Sequence, residues 1–300
     1  MTRLFGVIGS PIGHSLSPAM HTAALRALRL DALYAAFEVP PRCVKPILHA
    51  LILAGVEGLN VTVPLKEAVL PLMDRLDPTA KAVGAVNTIV IRDRRTVGYN
   101  TDGVGFRRAL QELCPSLTRQ RFARDVASRD IPARLHGRPI SAVILGAGGA
   151  ARAVAWELTR VRGSVVTIAN RHVARATRLA RWLAQRRPHA CVSVAPLARV
   201  SLADAELLVN ATTVGMQAAD GLLVSHAALH PRLLVYDLVY HRATPLVLAA
   251  RRRGCVAANG LSMLLYQGAE SLRLWLHRAP PLDVMRNALI AAHRIAVHSP

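Results

Sequence analysis

A chain of 300 residues with 52% apolar and 19% charged side chains can bury a substantial core, which excludes disordered and collagen-like polypeptides. Its 38 basic and 18 acidic side chains give a net charge of +20, and every basic residue except Lys45, Lys66 and Lys81 is arginine. That charge suits a nucleic acid, an acidic membrane surface or an anionic small molecule. An arginine excess beside abundant Ala, Leu and Val is also what a GC-rich genome writes into its proteins, so position must decide which arginines matter. Cys43, Cys114, Cys191 and Cys255 lie scattered with no CxxC pair or histidines at metal spacing, as in small core residues of a reducing compartment. The longest stretch free of Asp, Glu, Lys and Arg, Leu4 to Leu25, is too rich in Gly, Pro, Ser and His to span a membrane. It also lacks the continuous apolar core of a signal peptide.

In chain order, LFGVIGS from Leu4 predicts a buried strand that ends in a loop at Gly9, Ser10 and Pro11. Ser17 as N-cap and Pro18 at the first helical position predict a helix, with Met20, Ala23, Ala24, Ala27 and Leu28 on its apolar face. An apolar run from Leu33 to Val39, a helix around Lys45 to Ala54 and the strand-like GLNVTVP from Gly58 continue the alternation. The N-terminal third therefore reads as an α/β domain with a largely parallel sheet. The pattern breaks after TDGVGF at Thr101. From Cys114 to Pro139 the composition is arginine-rich, polar and proline-punctuated, as in an exposed connection or surface insertion. SAVILGAGGAARAVAWEL from Ser141 then restarts a strand, glycine turn and helix, and VVTIAN from Val165 supplies a second strand.

Val143, Ile144 and Leu145 feed into Gly146, Ala147, Gly148, Gly149, Ala150 and Ala151, a GxGxxA turn. Glycines suit it because the backbone turns tightly and a pyrophosphate must reach the helix N-terminus with no side chain in the way. The strand and helix around it, at the expected spacing, predict a dinucleotide site built on Gly146, Gly148, Gly149 and Ala150. NAD sites usually place Asp or Glu at the end of the second strand, whereas a 2′-phosphate needs that acid replaced by cations. Here the strand ends in Asn170, followed by Arg171 and Arg175, and nine arginines but no acid lie between Glu157 and Asp204. Arginine's planar fork grips phosphate in two places, so NADP is the predicted cofactor. Arg152 is a further phosphate candidate, and the competing reading is that Arg171 and Arg175 merely solvate a helix face.

Four N-terminal segments put polar groups at strand ends or loop starts: GSPIGHSLSP, NVTVPLKE, GAVNT and NTDGVG. Such positions face the crevice where α/β sheets bind ligands. Lys66 is a lysine in a chain that otherwise chooses arginine, which points to an amine able to give up a proton. Asp102, if beside it, can orient it or exchange protons with it.

In this order, IGSPIGHSLSPAMH, NVTVPLKE, LDPTAKAVGAVNTIV, GYNTDGVGF, LGAGGAARA, NRHVARA, NATTVGM, DLVY and NGLSMLLYQG resemble the shikimate dehydrogenase family. The resemblance covers both ends and the middle of the chain. It implies an α/β fold of two domains with a cleft between them: a substrate-binding domain, residues 1–107 with 261–300 and a mainly parallel sheet, and a Rossmann-type NADP-binding domain, residues 108–260. It implies reversible, NADP-dependent reduction of 3-dehydroshikimate to shikimate in aromatic amino-acid biosynthesis. By that resemblance Ser15 and Ser17 hold the substrate carboxylate, Thr62, Asn87, Asp102, Tyr240 and Gln267 bind its other polar groups, and Lys66 with Asp102 is the catalytic pair. Asn170, Arg171, His172, Arg175, Thr212, Met216, Leu238 and Gly260 join the glycine turn around the cofactor.

Some details depart from the family pattern. HRATPL after Tyr240 is one residue shorter than the usual spacing, His172 replaces a common Thr or Ser, and the stretch from Cys114 to Pro139 is longer than usual. Within the class the alternative is a quinate/shikimate dehydrogenase; from another class it is a non-catalytic or nucleic-acid-binding paralogue. Aromatics at 4% are too few for base-stacking platforms, so no nucleic-acid partner is expected. No membrane partner and no metal are expected either. The enzyme is expected in the cytoplasm with a small-molecule substrate, and a homodimer is the assembly considered.

Overall fold

The computed structural model describes residues 2–114 and 139–298, so the expected insertion lies almost wholly outside the described residues. The chain divides into two compact units, Met1–Gly105 with Met263–Pro300, and Phe106–Ser262.

In the first unit, strand β1 (Arg3–Gly9) is buried along its last five residues, and helix α1 (Ser17–Ala27) turns Met20, His21, Ala24 and Leu25 inward. The helix begins at Ser17 itself, with Leu16 at the cap position and no side-chain cap bond. The expected serine cap is thus one residue out of place, because proline is tolerated throughout the first turn, where no N–H is needed. There follow β2 (Ala32–Glu38), α2 (Val44–Leu53), β3 (Val56–Val61), β4 (Arg75–Leu76), α3 (Pro78–Val83), β5 (Thr88–Arg92) and β6 (Arg95–Tyr99). They form one sheet in the order β2-β1-β3-β5-β6-β4. Pairings β1–β2, β1–β3 and β4–β6 are parallel, but β5 runs antiparallel to β3 and β6. The β5–β6 hairpin turns through Asp93 and Arg94, with φ of 49° and 61°. Two successive left-handed residues make a type I′ turn, which sequence normally announces as Asn-Gly or Asp-Gly. Without the glycine the hairpin was hidden.

Helix α4 (Asp102–Leu113) runs across the division into the second unit, and α8 (Leu261–Leu276) runs back into the first; α9 (Leu282–His298) then packs along α1. The α8 residue Trp275 donates its indole N–H to the Ile89 carbonyl at 3.0 Å. It also packs on the buried His21, whose ring stacks on Tyr34 with centroids 4.4 Å apart and an 8° interplanar angle.

The second unit alternates strands and helices: β7 (Ser141–Leu145), α5 (Gly149–Leu158), β8 (Val165–Asn170), α6 (Val173–Arg186), β9 (Cys191–Pro196), β10 (Leu207–Asn210), β11 (Leu234–Asp237), α7 (Pro245–Arg252) and β12 (Val256–Ala258). Its sheet order, β12-β11-β10-β7-β8-β9, is parallel at every pairing. This is the doubly wound order of a Rossmann-type fold, and the strand sequence reverses between β7 and β10. Ligands of such sheets bind outside the carboxyl ends of the strands at that reversal, which is where β7 runs into the glycine turn.

Neither ring nitrogen of His21 makes a well-formed hydrogen bond, and burial pushes its imidazole down to about 3. An unfolded histidine binds its proton near 6.5. Between those values the unfolded chain holds a proton the folded chain refuses, so stability falls as pH drops through that window. Equilibrium denaturation should show a loss of about 2 kcal/mol between pH 7 and pH 5 from this residue. His21→Phe, which keeps a flat ring against Tyr34, should remove most of that loss; unchanged acid sensitivity in the variant would place its origin elsewhere.

Candidate active site

Lys66 lies in the turn that follows β3, and its Nζ donates to Oδ2 of Asp102 at 2.6 Å. Their side chains are 13% and 4% exposed. A pair this buried loses much of its hydration, which its mutual attraction offsets only when the remaining lone pairs are also satisfied. Asn87 meets that condition: its Nδ2 donates to the other Asp102 oxygen at 2.9 Å, to Thr101 Oγ1 at 2.9 Å and to Gln267 Oε1 at 3.1 Å. Its own Oδ1 accepts from the Thr101 backbone N–H at 2.7 Å and from Thr88 Oγ1 at 3.1 Å. Asp102 is the first residue of α4, where the exposed N–H groups of the helix favour negative charge.

The polar contacts continue below this layer. Thr88 Oγ1 lies 2.8 Å from Ser271 Oγ, Asn60 Nδ2 donates to Ser271 Oγ at 2.9 Å, and Tyr34 donates to Asn60 Oδ1 at 2.8 Å. Asn60, Thr88, Thr101 and Ser271 are all buried. Gln267 and Ser271 stand one turn apart on α8, and α4 reaches them because Gly105 has no side chain: a Cβ there would lie 2.7 Å from Gln267 Cβ and 2.9 Å from the Met263 carbonyl oxygen.

Three more predicted residues belong to the same sheet end. Thr62 follows β3, and its backbone N–H donates to the Ile8 carbonyl at 2.9 Å, which ties it to β1. Ser15 and Ser17 sit beyond β1, where Ser15 Oγ accepts from the Ser17 backbone N–H at 3.3 Å. That bond uses the oxygen and leaves the Ser15 hydroxyl hydrogen available to an anion.

In the second unit, Gly146 has φ of +112°, and a Cβ there would lie 2.8 Å from the Ala211 carbonyl oxygen. Gly148, the residue before α5, is the opposite case: a Cβ there would meet nothing within 4 Å. No side chain caps α5 and its first turn holds no acid, so its N-terminal N–H groups are left for an anion. Asn170 ends β8 and its Oδ1 accepts from the His172 N–H at 3.4 Å. Arg171, His172 and Arg175 are exposed at the start of α6, again with no acid in the first turn. Thr212, Met216, Leu238, Tyr240 and Gly260 follow strands β10, β11 and β12 of the same sheet.

The "Shikimate dehydrogenase substrate binding domain" profile matches residues 7–89, and the "Shikimate 5'-dehydrogenase C-terminal domain" profile matches residues 260–290. The shikimate dehydrogenase (NADP(+)) of Symbiobacterium thermophilum is 43% identical over 97% of this chain and 94% of its own, and that of Methanothermobacter thermautotrophicus is 41% identical over 96% of each. The chain belongs to the shikimate dehydrogenase family. Among solved structures, a shikimate dehydrogenase in complex with NADP+ superposes with a TM-score of 0.83 at 36% identity, covering 97% of this chain and 95% of that one. A quinate dehydrogenase from Corynebacterium glutamicum in complex with NAD gives 0.82 at 31%, covering 97% and 99%.

Against this shikimate dehydrogenase frame, Lys66, Asp102, Asn87 and Gln267 come together in direct contact in the first unit, while Tyr240 belongs to the second. The Arg152 guanidinium lies 5.0 Å over the Trp182 ring, alongside Arg186 at 5.0 Å, while Arg187 covers Trp156 at 3.9 Å. Cation–π stacking on the α5 and α6 tryptophans gives these arginines a packing role within the second unit. The shortened HRATPL segment supplies the start of α7, with Thr244 as its N-cap and Pro245 at its first position. Sequence reasoning missed Asn60, Thr88, Thr101 and Ser271 as parts of the site. The available signal was polarity inside buried strand patterns and, for Ser271, its spacing of four from Gln267.

The two glycines of the turn separate fold from ligand space. Gly146→Ala should destabilise the protein by about 1–3 kcal/mol through backbone strain and the Ala211 contact, whereas Gly148→Ala should leave thermal unfolding unchanged. Similar melting shifts in both variants would contradict this assignment.

Proposed function

We propose that this chain is an NADP-dependent shikimate dehydrogenase that reduces 3-dehydroshikimate to shikimate, reversibly, as a cytoplasmic enzyme of aromatic amino-acid biosynthesis. The observation that carries the reading is the contact of Lys66 with Asp102, held by Asn87 and Gln267, in a chain of this family.

The residues present fit the cofactor. Open space beside Gly148 and uncapped N–H groups on α5 suit a pyrophosphate, and Asn170 with Arg171 and Arg175 suits a 2′-phosphate where an acid would repel it. When bound, NADPH supplies the hydride that reduces the substrate's carbonyl carbon. Lys66 gives its Nζ proton to the carbonyl oxygen as that carbon accepts the hydride, so the C=O bond becomes CH–OH and the amine is left neutral. Asp102 orients Lys66 and stabilises it when it is protonated again from water. Asn87 fixes the orientation of Asp102 by donating to Oδ1 while Lys66 donates to Oδ2. Ser15 and Ser17 donate hydroxyls to the substrate carboxylate, which avoids burying a counter-charge. Thr62, Gln267 and Tyr240 bind its remaining polar groups, and Thr212, Met216, Leu238 and Gly260 face the cofactor.

Steady-state kinetics with 3-dehydroshikimate and quinate, each with NADP(H) and NAD(H), decide the main reading: the first acid with NADP(H) should dominate. A clear preference for NAD(H) would overturn the cofactor assignment, and a preference for quinate would favour the activity of the Corynebacterium relative. Lys66→Ala should lower kcat about 100- to 10,000-fold with NADP+ affinity within twofold of wild type. Gly148→Ala should do the reverse, raising the Kd for NADP+ more than tenfold in a protein of unchanged melting temperature.

A further inference from the structure

The chemistry above uses one buried carboxylate, and the second unit buries another that it leaves without a part. Asp237 ends β11 and is completely buried. Its Oδ1 accepts from Asn210 Nδ2 at 2.8 Å and from the Val239 N–H at 3.0 Å, and its Oδ2 accepts from Thr244 Oγ1 at 2.7 Å. Burial pushes this carboxyl up to about 6, against the pull of all three hydrogen bonds. The fold therefore keeps an expensive group at a place where a simple hydrophobic residue would fill the space.

The partners of Asp237 come from two different loops. Asn210 ends β10, and its own Oδ1 accepts from the Thr212 N–H at 3.0 Å and from Thr212 Oγ1 at 2.7 Å, while its Nδ2 also donates to the Val214 carbonyl at 3.0 Å. Thr244 caps α7 by accepting from the Val247 N–H at 3.2 Å. A second tie joins the same loops, because His241 Nε2 lies 2.9 Å from the Met216 carbonyl oxygen. One carboxylate thus links the loop that holds Thr212 and Met216 to the loop that holds Leu238 and Tyr240. In a doubly wound sheet the dinucleotide straddles the strand reversal. With the 2′-phosphate at β8 and the pyrophosphate at α5, the other nucleotide half faces β10 and β11.

We propose that Asp237, through Asn210 and Thr244, is a positioning residue for the nicotinamide half of the cofactor: it fixes the spacing of the β10 and β11 loops and touches no reacting atom. This rests on the NADP reading of the glycine turn. Isothermal titration of the full chain with NADP+ and with 2′,5′-ADP, which has only the adenosine half, tests it. Asp237→Asn should weaken NADP+ at least tenfold and leave 2′,5′-ADP within twofold of wild type; a merely structural role would weaken both ligands together or neither. Thr244→Ala should weaken NADP+ alone by threefold or more, and Thr244→Ser should restore it, which keeps the test decisive if the Asp237 variant does not fold. NADP+ affinity within twofold of wild type in Asp237→Asn, equal loss of both ligands, or Thr244→Ala indistinguishable from Thr244→Ser would overturn the proposal. A wild-type chain that binds neither ligand would overturn the NADP reading itself, and the positioning role with it.

Discussion

The site in the first unit depends on one buried contact, Lys66 with Asp102, whose polar atoms must find partners inside the protein. Asp102 has lost most of its water, and burying an ion pair is costly unless its partner and further hydrogen bonds make good the lost hydration. Lys66 supplies the charge on one oxygen and Asn87 a donor on the other. Asn87 is in turn fixed by Thr101, Thr88 and Gln267, so β5, α4 and α8 must agree before the pair is correctly set. That is why the buried polar residues run so deep below it. Each satisfies a neighbour that would otherwise be an unpaired polar group in the core, at a cost of about 1–3 kcal/mol apiece.

On the proposed reading, the two units would bind their ligands with different materials. The first relies on side chains, each locked by hydrogen bonds from β3, β5, α4 and α8, as suits a ligand recognised through hydroxyls and a carboxylate. The second relies on backbone and on space: uncapped N–H groups on α5, a glycine whose missing Cβ leaves a gap, and loops after β10 and β11 held at a set distance by Asn210 and Asp237. A side-chain site tolerates little change in chemistry, whereas a backbone site tolerates little change in shape.

What could be read in the sequence follows from this difference. Gly146, Gly148 and the strand-turn-helix around them were legible because backbone constraints leave a fixed spacing of small residues. Lys66 stood out because lysine is rare in an arginine-rich chain. Helix α4 was not legible: Gly103 and Gly105 argue against a helix, yet Gly105 is there because α8 crosses too close for a side chain. The β5–β6 hairpin escaped for the opposite reason, since Asp93 and Arg94 adopt left-handed backbone without a glycine to announce it. Ser271 and Asn60 escaped because they pair with each other across 211 residues of chain, and no local pattern encodes such a pairing.

The charge of +20 dissolves into several separate causes once the arginines are placed. Arg152, Arg186 and Arg187 stack on Trp156 and Trp182, Arg107 and Arg160 flank the buried Glu157, and Arg3 pairs with Glu57. These roles need a permanent cation with a flat face or a fork, and arginine fills all of them. None needs a cation that can lose its proton. Donation to a carbonyl does, and a guanidinium, which stays protonated throughout the range where proteins work, cannot supply it. Under the proposed reaction, Lys66 beside Asp102 is therefore the position where arginine could not take lysine's place.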